Sequence, residues 1–308
     1  MLLPVAIQLV LSAPVPTWDA PSHLPRWVQP GPIAAERVPS RTNVAGWHVL
    51  ARLQDPRIDE ASGIVASRTM PGTWWVHNDS GDGPRVFAIG LDGATRAEVR
   101  LRGRIALDWE DIAVGPGSDG RSMVYVADTG DNYRIRPSVN LYRFPEPTLV
   151  ADGSIDAERI AVQYADGRPH DVETMLVDPV SGDLLLVTKE RSGERPRLFG
   201  VPRASLRDGA TVTAALLGTL PEEVALANGG DVSRDGSTIV VRSYSSAWLW
   251  HRTPGESLAA AMARPATRIE APDASEAIAF DPDGTTLVSV PEGVNAPISR
   301  RTVPRFAR

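Results

Sequence analysis

The sequence predicts an all-β chain folded as a single β-propeller of five blades, with six as the alternative. Three observations predict it. Short β-rich runs bounded by Gly, Pro, Asn or Asp recur along the chain, almost nothing carries the 3.6-residue period of a helix, and one acid-led motif appears five times.

In chain order, the first thirteen residues, MLLPVAIQLVLSA, form an apolar run too short to span a bilayer as a helix. The run reads as the hydrophobic stretch of an export signal without the usual basic start, so residues 1–20 are assigned to a signal-like segment and the protein to a secreted or periplasmic location. No stable membrane span is expected. Pro14, Pro16, Pro21, Pro25, Pro30, Pro32 and Pro39 follow, a spacing that forbids a helix or a central strand. Residues 21–42 are therefore a tether, and the folded domain is expected over 43–308.

Within that domain the β-rich runs include Thr73–His77, Arg85–Ile89, Met123–Ala127, Asn140–Phe144, Asp183–Val187, Arg197–Val201, Thr238–Arg242, Trp248–Trp250 and Thr286–Val290. Their spacing suits antiparallel strands joined by tight turns. The repeat is visible when DEASGIVAS (59–67), DWEDIAVGP (108–116), DVETMLVDP (171–179), GDVSRDG (230–236) and SEAIAFDPDG (275–284) are aligned. The anchors Glu60, Glu110, Glu173, Asp231 and Glu276 lie 50, 63, 58 and 45 residues apart, close to the length of a four-stranded blade. Because the last repeat has too few strands, Trp47–Leu53 is expected to complete it and to remove an exposed sheet edge.

In such a ring the innermost strand of each repeat faces the central axis, so five equivalent strand starts bring their acids together. Unpaired carboxylates crowded into a narrow channel repel one another, and a hard cation with oxygen ligands removes that cost. Calcium suits an irregular oxygen cage better than magnesium. The expected ligands are Glu110, Glu173 and Glu276, with Asp231 and Ser62 in the remaining positions. The alternative is that these acids cap strands or pair with arginines.

The second strand of each repeat runs back to the same face, where the polar ends His77–Asp82, Asp128–Asn132, Lys189–Glu190, Arg242–Tyr244 and Glu292–Gly293 should form a pocket. His77, Asp79, Asp128, Lys189 and Arg242 are the candidates for catalysis and binding there. His170, beside the third anchor, is a weaker one. Lys189 is conspicuous as the only lysine of the chain.

Composition excludes other classes. A net charge of −6 without a clustered basic face argues against nucleic acid as a partner. The absence of cysteine removes disulfides, thiolate catalysis and cysteine-bound zinc. Gly115-Pro-Gly117-Ser-Asp-Gly120 fits a dinucleotide glycine pattern literally, yet it contains proline and opens no helix. Neither a Walker A sequence, nor HExxH, nor a GxSxG elbow is present.

The SGI, WEDIA, VETM and EAIAF anchors resemble those of bacterial secreted propellers of the esterase-like phytase and SdiA-regulated groups. Their order of Ser, Glu, Glu, Asp or Ser, Glu is similar to the axial calcium site of calcium-activated apyrases, which are five-bladed. The resemblance covers residues 43–308 as a repeat pattern and implies an architecture and an axial calcium rather than a reaction. Two functions are therefore expected as alternatives. One is a monomeric calcium-dependent hydrolase acting on a small anionic ester or phosphoester, with Lys189 and Arg242 holding negative charge and His77 or an Asp moving the proton. The other is a noncatalytic binding propeller with a structural calcium.

Overall fold

The structure, a computed structural model, describes residues 44–190, 193–272 and 275–304. The signal-like segment, the tether and Asn43 lie outside the described residues. Among the described residues the chain is all-β, with one short helix, Leu258–Met262, and two single 3-10 turns, Arg203–Ser205 and Glu222–Val224. No helix is long and apolar enough to cross a membrane.

The strands form antiparallel four-stranded units in chain order. Ala61–Ala66, Trp74–Asn78, Arg85–Ile89 and Thr95–Leu101 make the first unit. Trp109–Pro116, Ser122–Asp128, Val139–Pro145 and Glu158–Tyr164 make the second, and Val172–Val177, Leu184–Thr188, Arg197–Val201 and Thr211–Thr219 the third. Gly229–Val232, Thr238–Arg242, Ser246–His251 and Thr267–Glu270 make the fourth. The fifth takes Ser275–Phe280, Thr286–Pro291 and Pro297–Thr302 from the C-terminal part of the chain and Trp47–Arg52 as its outer strand, with Trp47 opposite Arg301 and Arg52 opposite Pro297. That is where the sequence places this strand.

The first strand of each unit packs against that of the next, and the fifth against the first, so the inner strands close a propeller-like ring. Outer edges are covered too. Ala161–Tyr164 pairs in parallel with Thr211–Ala214, which joins the second and third units into one eight-stranded sheet. Gly153–Ile155 adds a short parallel strand to the first unit. Pairing of this kind satisfies edge groups that would otherwise recruit another chain.

The core lies between neighbouring sheets rather than within one. Trp75, Trp109, Tyr142 and Phe144 fill the space between the first and second units, and Leu185, Ile239, Trp248 and Trp250 that between the third and fourth. An inner strand is covered on both faces, which explains runs such as Met175-Leu-Val177 in place of strict alternation. Polar stitches cross the same seams. Arg252 donates to both carboxylate oxygens of Asp178, at 2.8 and 2.9 Å, and Glu146 accepts from Ser67 Oγ, Ser122 Oγ and Trp75 Nε1.

One irregularity answers why acids begin buried strands. Pairing between the first and second strands skips one residue in four of the five units, between Ala61 and Gly63, Trp109 and Asp111, Val172 and Thr174, and Ser275 and Ala277. The skipped residues are Ser62, Glu110, Glu173 and Glu276. A bulge re-aims the side chain it carries, and here it releases each from the packing face.

The backbone is close-fitting beside these bulges. A Cβ on Gly229 would lie 2.3 Å from the carbonyl oxygen of Glu276 on the neighbouring inner strand. Gly229→Ala is expected to cost about 1–3 kcal/mol through overpacking, measured by urea denaturation, whereas Gly255→Ala, where a Cβ meets only open space, should do no more than strain its own turn.

Candidate metal and active site at the axial mouth

The four bulge residues converge at one end of the axis. Ser62 Oγ donates to the Glu110 carbonyl oxygen at 2.7 Å and reaches Glu276 Oε2 at 3.3 Å. Glu110, Glu173 and Glu276 are 3%, 2% and 6% exposed, so all three carboxylates are enclosed. Lys189 Nζ lies 2.5 Å from each carboxylate oxygen of Glu173 and 5.2 Å from the centroid of the Tyr244 ring.

The fourth unit has no bulge, and its contribution differs from the expected one. Asn228, immediately before Gly229, sends Nδ2 towards Glu276 Oε1 and the Ser275 carbonyl oxygen, each at 3.5 Å. Asn228, not Asp231, thus holds the position next to Glu276. Asp231 lies farther along the inner strand, where its carboxylate accepts from the Val232 and Phe280 N–H groups, both at 2.8 Å. It staples the fourth inner strand to the fifth. Asp111 does the same between the second and third, accepting from Ile112 and Met175 at 2.8 Å each. The sequence held the signal for Asn228: it stands eight residues before the turn glycine Gly236, as Glu276 stands eight before Gly284.

Further acids surround the ring. One ligand atom from each of Glu110, Asp171 and Glu173 falls within 4.8 Å of the others, and the same holds for Asp79, Asp108 and Glu110 and for Asp79, Glu276 and Glu292. Burial, reinforced by Glu173, Asp79 and Asp108, pushes Glu110 well above the usual carboxylate range. Burial also pushes Glu276 up. It pushes Glu173 in the same direction, against the pull of Lys189. Burial works against the charge of Lys189, but Glu173 and Glu276 outweigh it and hold the ammonium protonated. The two short contacts mark Glu173 as its ionised partner. Asp79 rises to about 7, Asp108 to about 6 and Glu292 to about 7, each through burial first and neighbouring carboxylates second.

The residues expected to line the pocket separate into three groups. Asp79 and Lys189 belong to the acid cluster. Arg242 stands behind it, fully buried, donating to the carbonyl oxygens of Ser243, Tyr244 and Pro272 and to Ser289 Oγ, so it stitches the fourth unit to the fifth rather than presenting charge to a ligand. His77 and Asp128 do not reach the mouth. His77 is fully buried, with Nδ1 2.8 Å from the Asn78 carbonyl oxygen and its ring edge-on to Trp109, and burial lowers it to about 4. It is neutral and walled in at neutral pH. Asp128 accepts from the Asp108 N–H, Arg136 and Asn140 at 3.1–3.2 Å and anchors the loop that follows it. His170 bonds Asp166 at 2.8 Å and packs on Tyr164 and Phe199.

Asp108, Asp171, Asn228, Tyr244 and Glu292 complete the mouth. Tyr244 and Glu292 lie in strand ends that the sequence assigns to the pocket, and a signal for Asp108 and Asp171 is present too: each precedes a ring glutamate by two residues, as Glu60 precedes Ser62. A period of two keeps residues on one side of a strand.

The donor set fits a hard cation. Every candidate ligand is an oxygen, Glu110 has ligand atoms within 4.8 Å of Glu173 and Asp171 and of Asp79 and Asp108, Glu276 has them within 4.8 Å of Asp79 and Glu292, and Asn228 Oδ1 is buried with no hydrogen-bond partner among the described residues. Lys189 is bonded to Glu173 and attracts Glu276, which Arg242 also attracts, and Glu110 has no ion pair among the described residues.

No protein-family model matches the chain, and no match is found among curated protein sequences. Among solved structures the chain is similar to a gluconolactonase from Xanthomonas campestris, at 14% identity over 86% of this chain and 97% of that one with a TM-score of 0.46. It is also similar to the PQQ-bound form of an aldose sugar dehydrogenase from Streptomyces coelicolor, at 11% identity over 85% and 98% of the two chains with a TM-score of 0.47.

Proposed function

We propose that the five units are the blades of one β-propeller over residues 43–308, that its axial mouth binds calcium, and that the protein is an exported, monomeric hydrolase of a small ester or phosphoester. Five inner strands in a closed ring support the blade count, and the apolar run at residues 1–13 supports export. The observation that carries the cation is the unpartnered Asn228 Oδ1 beside enclosed glutamates, of which Glu110 has no ion pair among the described residues. Ser62, Glu110, Asn228 and Glu276 would hold the ion, with Glu173 bound to Lys189 at the margin.

When bound, calcium supplies a Lewis-acid pole able to polarise a carbonyl or phosphoryl oxygen. The chain's own residues do the rest. Asp79, at about 7 and partly open to solvent, exchanges a proton near neutral pH, as a general acid or base must. Glu110 and Glu276 repel a substrate anion unless their charge is balanced, which makes substrate binding depend on the ion. Tyr244, 39% exposed beside Lys189, offers a hydroxyl and a ring face at the entrance.

The test is a screen of esters and phosphoesters with calcium or with excess chelator. Turnover is expected only with calcium, to be lost in Glu110→Gln, and to fall by about 10²–10⁴ in Asp79→Asn with loss of the pH limb near 7. One observation favours a second reading, a noncatalytic propeller locked by its ion: the ring glutamates are almost wholly enclosed. Calcium binding by calorimetry without turnover of any substrate would select that reading.

A further inference from the structure

The opposite end of the axial channel carries different chemistry. A cavity of about 30 Å³ opens where the inner strands finish, lined by Val65, Val114, Phe280, Asp231, Arg68 and Arg234 among others. That is room for about two water-sized groups. Neither guanidinium has a hydrogen bond or ion pair among the described residues, although Arg68 is half-buried. The acids in the same wall have partners of their own, although Asp231 also attracts Arg68 and Asp281 Oδ1 is buried without a hydrogen bond. Asp231 accepts two backbone N–H groups, and Asp281 Oδ2 lies 3.7 Å from Arg300 Nη2.

We propose that this cavity is a second site, at which Arg68 and Arg234 clamp a small oxyanion, either a carboxylate or a phosphate group. A guanidinium presents paired donors in a plane that matches two oxygens of such a group, so two of them converging on one cavity form a fork for a single anion. Burial depresses Arg68 and the neighbouring charge of Arg234 adds to it, while Asp231 and Glu146 offset part of the loss. An anion in the cavity reverses both effects, whereas water reverses only part of the first. The hydrophobic wall of Val65, Val114 and Phe280 lowers the local dielectric and strengthens the contact. Arg234 is exposed, which leaves the anion a route in. The site stands apart from the acid mouth, so it does not depend on calcium or on hydrolysis.

The experiment is isothermal titration of the full chain with inorganic phosphate and, separately, with acetate, at fixed ionic strength. Saturable binding of at least one is expected, with the tighter identifying the oxyanion. Arg68→Gln should weaken it by about tenfold to a hundredfold, as loss of a charge-assisted contact does, and Arg234→Gln should weaken it less. Arg168→Gln, an exposed arginine outside the cavity, should bind as the parent does, and so should Glu110→Gln at the other end of the channel. Circular dichroism establishes that each variant is folded. If Arg68→Gln does not fold, Arg234→Gln and Arg68→Lys carry the test, the latter keeping charge and losing the fork. Absence of binding of both ions to the parent, or equal binding by the parent and the cavity variants, overturns the site.

Discussion

Lys189→Met is expected to destabilise the protein by about 3–5 kcal/mol at neutral pH in excess chelator. The reason is the partner it leaves behind. Glu173 is 2% exposed and receives the ammonium on both carboxylate oxygens at 2.5 Å, with Glu110 and Asp171 close by. Removing one member of a buried ion pair leaves an uncompensated charge in a poorly solvated place, and that penalty exceeds the net worth of the pair itself. Two further measurements isolate the cause. Lys189→Met combined with Glu173→Gln should recover most of the loss, giving a large coupling energy in a double-mutant cycle. Saturating calcium should recover part of it in the single variant, since a divalent ion offers Glu173 the charge it lost. A change within about 0.5 kcal/mol, the usual effect of a surface substitution, would mean that Lys189 is free for an anionic ligand, as the sequence by itself suggests.

How far the sequence could be read follows from what a strand pattern encodes. Repetition of an acid-led apolar run located all five inner strands, and counting strands in the last repeat assigned Trp47–Leu53 to its edge, where Trp47–Arg52 pairs. Ser62, Glu110, Glu173 and Glu276 were legible because the bulge that carries each one recurs at one place in the motif. Asp231 aligns with the ring glutamates because it is the first acid of its repeat; register against Thr238–Arg242 pairs Gly229 with Arg242, so Asn228 stands at that strand end and Asp231 two residues beyond Gly229. Lys189, Arg242, His77 and Asp128 sit at the ends of second strands as expected, but position along a strand does not say which neighbour a long side chain meets. Arg242 turns into four oxygen acceptors between two sheets, and His77 turns under Trp109. Those contacts depend on how adjacent sheets stack, which no periodicity within one strand records.

The gap in stability between calcium-loaded and calcium-free protein is expected to widen as pH rises from about 5 to about 8. In the free protein Asp108 sits at about 6 and Asp79 and Glu292 at about 7, while Glu110 and Glu276 are raised by burial. In the unfolded chain these carboxyls ionise near pH 4. Between those limits the folded state binds more protons than the unfolded one, so stability falls with rising pH, fully present below about 4 and lost as pH passes through 6 and 7. Glu292 is exposed and adds least, because solvent screens it. Asp231, at about 7, and Asp281, at about 6, act in the same sense, and His77, at about 4, acts in the opposite sense below about pH 6.5. All three lie away from the proposed ligands, so they shift both curves equally and cancel in the difference. Calcium and protons compete for the mouth carboxylates, so the ion binds more tightly as they ionise and offsets the repulsion that destabilises the free form. At a hundred times its dissociation constant it contributes about 2.7 kcal/mol. Thermal unfolding in calcium and in excess chelator, at half-unit pH steps, measures the gap. It should be narrow at pH 5, widest at pH 8 and nearly closed throughout in Glu110→Gln. Parallel curves at every pH would mean that the acid ring is balanced by Lys189, Asn228 and protons alone, and that the mouth carries no metal.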